Sequence, residues 1–172
     1  IANDLRLMAS GPRCGLFEIQ LPEMQPGSSI MPGKVNPVMA EVLNQTCFLV
    51  IGLDVTVMMA AEAGQLELNV MEPVMGHALF TSIDSLANAV RLFTERCVRG
   101  IQANRERCEE LVNRSVGLVT AINPIVGYKN ASAVAREAVL SGRPVRDIVL
   151  EKGLLSEDEI DEILSPMALT TM

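Results

Sequence analysis

Residues 27–37, GSSIMPGKVNP, gather the groups in this chain best suited to chemistry on an anion. Ser28 and Ser29 follow Gly27, and Lys34 and Asn36 follow Gly33. Lys34 is the only ionic residue between Glu23 and Glu41. A lysine supplies charge, an asparagine amide donates and accepts, and glycines let backbone N–H groups come close to a ligand. That combination makes a reasonable carboxylate receptor. By composition alone the stretch also reads as an ordinary turn, since Gly, Ser and Pro are common loop residues.

No histidine, cysteine or carboxylate lies within the stretch to activate a serine, which argues against a Ser–His–Asp hydrolase. His77 is the sole histidine, so it cannot build a metal site alone, and it sits in a helical pattern that suggests packing. Cys14, Cys47, Cys97 and Cys108 show no metal-binding spacing. Cys47 and Cys97 fall in apolar helical patterns and read as small core residues. Free thiols suit a reducing compartment, so a cytoplasmic protein is expected.

The elements that must hold this loop are helical. Of 172 residues, 49% are apolar and 20% charged, which excludes a disordered chain. Aromatics make up only 3%, so Leu, Ile, Val, Ala and ten Met must fill the core, and helices are favoured over a sandwich or barrel. The net charge of −7, without a Lys/Arg cluster, argues against nucleic-acid binding. In so acidic a chain, a cation in a cleft is informative.

Residues 1–10 read as the end of a helix that stops at Ser10-Gly11-Pro12. With Ile as first residue, the chain is expected to be a fragment of a longer protein. Residues 11–37 are loop-rich, and a loop of this length is usually functional. From Val38 to Ala63 the pattern is helical and apolar nearly all round, so it should be buried on every side. Asn44, Gln45, Asp54 and Glu62 are costly in hydrocarbon and favour a bundle helix over a membrane span. A chain of this size cannot easily surround such a helix, so partner helices, such as those of other subunits, are implied.

Pro73 suits the first turn of the next helix. Leu79, Ile83, Leu86, Val90, Phe93 and Cys97 form a heptad-like stripe along it, and Gly100 closes it. Beyond Gly100 the helices become short. Asn104 can cap one; Asn123-Pro124 and Gly127 mark a turn. Asn130 can cap a helix running to Gly142, Pro144 opens another, and Ser156 with Glu159 makes a capping box for the last. No convincing strand pattern and no repeat occurs. The expected fold is all-α: a helical-bundle portion over 1–103 carrying the loop, then a small helical domain over 104–172.

Residues 27–37 resemble the signature of the aspartase/fumarase superfamily of lyases, G-S-S-x-x-P-x-K-x-N, and match it completely. ANDLRLMASGPR before it, AAEAGQLELNVMEP after it and GLLSEDEIDEIL near the end resemble the same family. The resemblance covers essentially the whole chain and corresponds to the last third or so of full-length members. It implies the C-terminal part of their long central helical bundle followed by the small C-terminal domain. Two branches compete. NPVMAEVLNQ and AAEAGQLELNVMEP depart from the helical fumarate hydratases and match the aspartate ammonia-lyases.

The resemblance implies reversible anti elimination of ammonia from L-aspartate to give fumarate, through an aci-carboxylate-like intermediate. Ser28 would be the general base on a mobile loop, and Ser29, Lys34 and Asn36 would bind the substrate. Gly27, Gly33 and Glu41 would support them. In relatives the carboxylate at the position of Glu41 pairs with a histidine from another segment; it also reads as a first-turn acid favoured by the helix dipole. No metal site and no required cofactor are implied. The full-length protein would be a homotetramer whose active sites each draw on three chains, so this fragment alone should be inactive. Arg13 is expected to anchor the loop, and neither Arg13 nor Asn69 is given a catalytic role. The alternatives are a fumarate hydratase interconverting fumarate and malate, and a non-catalytic structural fragment.

Overall fold

The computed structural model describes residues 1–25, 31 and 33–170, which form two compact units, Ile1–Asn104 and Arg105–Met172. The chain is all-α apart from a ribbon of two two-residue strands among the described residues.

The first unit opens with α1 (Ala2–Met8) and is dominated by a hairpin of two 25-residue helices, α2 (Val38–Glu62) and α3 (Glu72–Arg96). α2 starts directly after Pro37, with Glu41 in its first turn, where a carboxylate favours the helix dipole. At the hairpin turn, Leu66 and Glu67 take positive φ values of 49° and 65°. Asn69 ties the turn together. Its amide donates to the Ala60 and Ala61 carbonyls at 2.9 and 3.2 Å, and its Oδ1 accepts from the Met71 N–H at 2.8 Å. It thereby satisfies carbonyls that the end of α2 leaves without helical partners. Asn69 is a structural residue.

The core of this unit joins Ala2, Ala40, Leu43, Ala89, Phe93 and Cys97. Alanines along the α2–α3 seam, including Ala78 and Ala89, let the two backbones approach. Burial pushes the Cys97 thiol upward from its ordinary pKa, so it stays protonated and serves as packing. The heptad-like stripe divides. Phe93 and Cys97 are buried, but Leu79, Ile83 and Val90 are 49%, 62% and 47% exposed, because the small residues occupy the seam. α3 also ends earlier than expected, at Arg96, and a 3₁₀ turn over Val98–Gly100 completes the closure.

α2 is not buried on every side within this chain. Only 11% of its apolar window is buried, and Phe48, Ile51, Met58 and Met59 face outward. Among the described residues its main neighbours in this chain are α1 and α3. Among the described residues it is the single helix long and apolar enough to cross a membrane.

The ribbon was not legible in the sequence. β1 (Ile19–Gln20) pairs antiparallel with β2 (Gln102–Ala103), Ile19 opposite Ala103. Two residues per strand are too few for any alternation to register.

The second unit contains α4 (Arg105–Asn113), α5 (Val119–Ser141), α6 (Val145–Glu151), α7 (Glu157–Ile163) and α8 (Pro166–Thr170). Its core is Leu118, Ile122, Val134, Ala138, Val145, Ile148, Val149, Leu155 and Ile160. Asn123-Pro124 does not make a turn: both residues lie inside the first arm of α5, and the break comes at Gly127 alone, at φ 79° and ψ 155°. Asn130 then lies within the second arm, where its amide donates back to the Val126 carbonyl at 2.9 Å. It spans the kink. The capping box at Ser156 and Glu159 forms in full. Exposed ion pairs such as Arg146–Asp161 at 2.9 Å join α6 to α7 and contribute little each.

Candidate functional site

The loop residues that could bind an anion meet at the start of α2. The Lys34 N–H donates to the Met31 carbonyl at 3.1 Å, closing a turn. Gly33 sits in that turn at φ +78°, and nothing lies within 4 Å of where a Cβ would be. Glycine is required there by backbone conformation, not by crowding. The Asn36 carbonyl accepts from the Val38 N–H at 2.8 Å and the Pro37 carbonyl from the Glu41 N–H at 3.0 Å, which launches the helix.

Lys34, Asn36 and Glu41 line one open cavity of about 760 Å³. Arg6 and Ser10, from the end of α1, and Gln20, from β1, form part of its wall. Lys34 is exposed, Asn36 and Glu41 are half-buried, and Lys34 has no ion-pair partner among the described residues. Ser28, Ser29 and Gly27 lie outside the described residues. Lys34, Asn36, Gly33 and Glu41 line the same cavity.

A clamp holds the segment that leads into this loop. Asn104 donates its amide to the Phe17 carbonyl at 2.7 Å, and its backbone N–H donates to the Glu18 carbonyl at 2.9 Å. Gln20 in turn donates to Asn104 Oδ1. A Cβ on Gly100 would lie 2.5 Å from Pro22 Cγ, so only glycine allows the two segments to meet this closely. On the other side, Ser10 Oγ accepts from the Leu16 N–H at 3.1 Å. The sequence marked Asn104 as a helix cap; its partners 84 and 87 residues earlier left no local signal.

Arg13 is exposed and shows no side-chain partner among the described residues, so the anchoring expected of it falls to Ser10 and Asn104. His77 is exposed on α3 and does not line the cavity, against the expectation that it packs. No cluster of three or more metal-capable side chains occurs among the described residues. Chemically, the cavity offers the Lys34 cation and the Asn36 amide for an anionic ligand, with the Glu41 carboxylate also on its lining.

Known proteins give this arrangement its context. Residues 1–52 match the lyase family model, and residues 118–171 match the model described as the fumarase C C-terminus. The aspartate ammonia-lyase of Bacillus subtilis (strain 168) is 58% identical over 170 residues, 99% of this chain and 36% of that protein. The chain belongs to the aspartase/fumarase superfamily of lyases. Its first matched segment carries the signature loop and the cavity.

The aspartate ammonia-lyase of Escherichia coli (strain K12) is also 58% identical, over 96% of this chain and 34% of that protein. Among solved structures, a fumarate lyase:delta crystallin from Brucella melitensis bound to cobalt superimposes with a TM-score of 0.90 at 51% identity, covering 97% of this chain and 36% of that one. A class II fumarase from Schistosoma mansoni does so with a TM-score of 0.87 at 42% identity, covering 96% and 35%. The chain thus spans about a third of the length of the superfamily members it matches.

Proposed function

We propose that this chain is the signature-loop and C-terminal portion of an aspartate ammonia-lyase, which reversibly eliminates ammonia from L-aspartate to give fumarate. The observation that carries the reading is the convergence of Lys34, Asn36 and Glu41 on one cavity beside a complete signature loop, in a chain 58% identical to aspartate ammonia-lyases. A C–H beside a carboxylate is a very weak acid. Its removal requires preorganised donors for the charge that develops on that carboxylate. Lys34 and Asn36 supply a cation and an amide there. Ser28 takes the proton, Ser29 contacts the substrate, and closure of the glycine-flanked loop excludes water and stabilises the serine oxyanion. Glu41 holds a histidine supplied by another segment. No cofactor enters this scheme.

The active protein in this reading is a cytoplasmic homotetramer whose sites draw on three chains, and the fragment alone is inactive. The outward apolar face of α2 supports partner helices over a membrane, since Asn44, Gln45, Asp54 and Glu62 lie on that helix. The four free cysteines support a reducing compartment.

The test incubates the full-length protein with fumarate plus ammonia, and separately with fumarate in water. Aspartate formation is expected. Malate as the dominant product would favour the second reading, a fumarate hydratase, which the likeness to the Schistosoma mansoni fumarase supports at lower identity.

A further inference from the structure

Asn44 is the one buried polar residue among the described residues, and it lies on α2 beside the buried Ala40 and Leu43. A buried amide is costly unless hydrogen-bonded, and this one donates to Asn3 Oδ1 on α1. Around that bond the two helices meet through apolar side chains: Ala2 and Leu5 share a core with Ala40 and Leu43. Small apolar side chains pack nearly as well after a slip along the helix. A buried amide with one partner does not, because a slip leaves its hydrogen bond unmade. The Asn44–Asn3 bond therefore sets the register of α1 on α2.

That register passes to the segment that enters the signature loop. The Met8 carbonyl at the end of α1 accepts from the Glu18 N–H at 2.9 Å, and Ser10 Oγ accepts from the Leu16 N–H at 3.1 Å. A Cβ on Gly15 would lie 2.3 Å from the Ser10 carbonyl, so the intervening turn is pressed against the helix end. Asn104 holds the same segment through the Phe17 and Glu18 carbonyls. With either tether lost, the segment can pivot on the other. The far end of the loop needs no tether, because Pro37 runs straight into α2.

We propose that Asn44 and Asn3 are positioning residues for the signature loop: their bond fixes, relative to α2, where the chain enters that loop. This rests on the lyase reading above. In that reading the base, Ser28, follows the entry segment along the chain, whereas Lys34 and Asn36 shortly precede α2. A slip of α1 then misplaces the base and leaves the carboxylate-binding pair seated. Chemistry suffers and binding does not.

The test uses full-length wild type, N44L, N3L and N3D. Leucine is close to asparagine in size and cannot hydrogen-bond, so N44L keeps the packing and removes the donor. N3L removes the acceptor at an exposed position, and N3D keeps an acceptor oxygen. Arg6 Nη1 also reaches Asn3 Oδ1, at 3.5 Å, so agreement between N3L and N44L assigns the effect to the bond they share. The readouts are kcat and KM for L-aspartate and hydrogen exchange over residues 16–22. N44L and N3L should lower kcat about ten- to a hundredfold, the range for a small misplacement of a reacting group, with KM within about twofold of wild type. The Leu16 and Glu18 N–H groups should exchange faster in both. N3D should bring both readouts back toward wild type. A purely structural bond would lower stability and leave kcat per assembled enzyme unchanged, and that result overturns the proposal. So does N3D behaving as N3L, or KM rising in step with a falling kcat. If N44L does not assemble, N3L is read by the same split. If wild type releases no ammonia, the lyase reading fails. Exchange at Leu16 and Glu18 then decides whether the bond positions the entry segment.

Discussion

The Asn104 amide donates to the Phe17 carbonyl at 2.7 Å, joining two residues 87 positions apart. Phe17 holds a left-handed conformation at φ 52°, unusual for a bulky side chain, and the bond helps fix it. Replacing Asn104 with Ala leaves that half-buried carbonyl without its donor and removes the acceptor of Gln20. A loss of about 1–2 kcal/mol is expected from denaturant unfolding, in line with one unmade buried hydrogen bond. Faster proteolysis within residues 11–37 should accompany it. Unchanged stability and proteolysis would show that the ribbon alone holds the segment.

Gly100→Ala tests the same clamp from its other jaw. The added methyl would sit 2.5 Å from Pro22 Cγ, and a proline ring cannot swing aside as a long side chain can. The expected cost is about 1–3 kcal/mol, typical of overpacking, read as a lowered melting temperature. A melting temperature equal to wild type would mean that the ribbon yields without strain.

Within the proposed reaction, Ser28 and Lys34 should fail differently when changed in the full-length protein. Ser28→Ala removes the base and should lower kcat by orders of magnitude. A loss of only a few-fold would remove Ser28 from that role. Lys34→Ala should chiefly raise KM for L-aspartate, because it withdraws charge from a bound carboxylate; an unchanged KM would count against it.

The second unit should lose stability in acid. Glu159 is held below the usual carboxylate range, first by the Ser156 backbone N–H and then by its hydroxyl. Asp161 is held low chiefly by its hydrogen bond from Arg146. A depressed folded pKa contributes stability that is present above the unfolded value, about 4 for a carboxylate, and is lost as pH falls through the folded value. Thermal melts followed by circular dichroism should therefore fall between about pH 4 and lower pH, and Glu159→Gln should shrink that slope. An identical slope in the variant would assign the acid sensitivity elsewhere.

The open face of α2 predicts association. Phe48 and Ile51 are each 64% exposed on it. Changing both to Glu in the full-length protein should leave helix content unchanged while sedimentation reports smaller species and activity disappears. A full-sized assembly in the double variant would place the contact on another face.

Much of the candidate site was legible in the sequence because its parts are close together in the chain. Lys34, Asn36 and Glu41 span one loop and one helix turn, so their shared cavity follows from local geometry. Arg6 was missed because it lies in a stretch that reads simply as a helix end. The stripe on α3 shows the limit of periodicity. Leu79, Ile83 and Val90 share an apolar stripe, but the residues that α3 buries are Ala78, Ala89 and Phe93. Periodicity reports that a side is apolar and is silent on what covers it.

Local sequence located the long helices and several of their ends, and it marked residues 27–37 as the loop with groups suited to an anion. These are local properties: propensity, caps and motif spacing act over a few residues. The long-range contacts needed the tertiary structure: Asn104 holds Phe17, Gly100 admits Pro22, and Asn44 donates to Asn3. Each joins residues tens of positions apart through one hydrogen bond or one close approach. Such a contact needs a single partner at the right place in space, and it imposes no repeating pattern on the residues between.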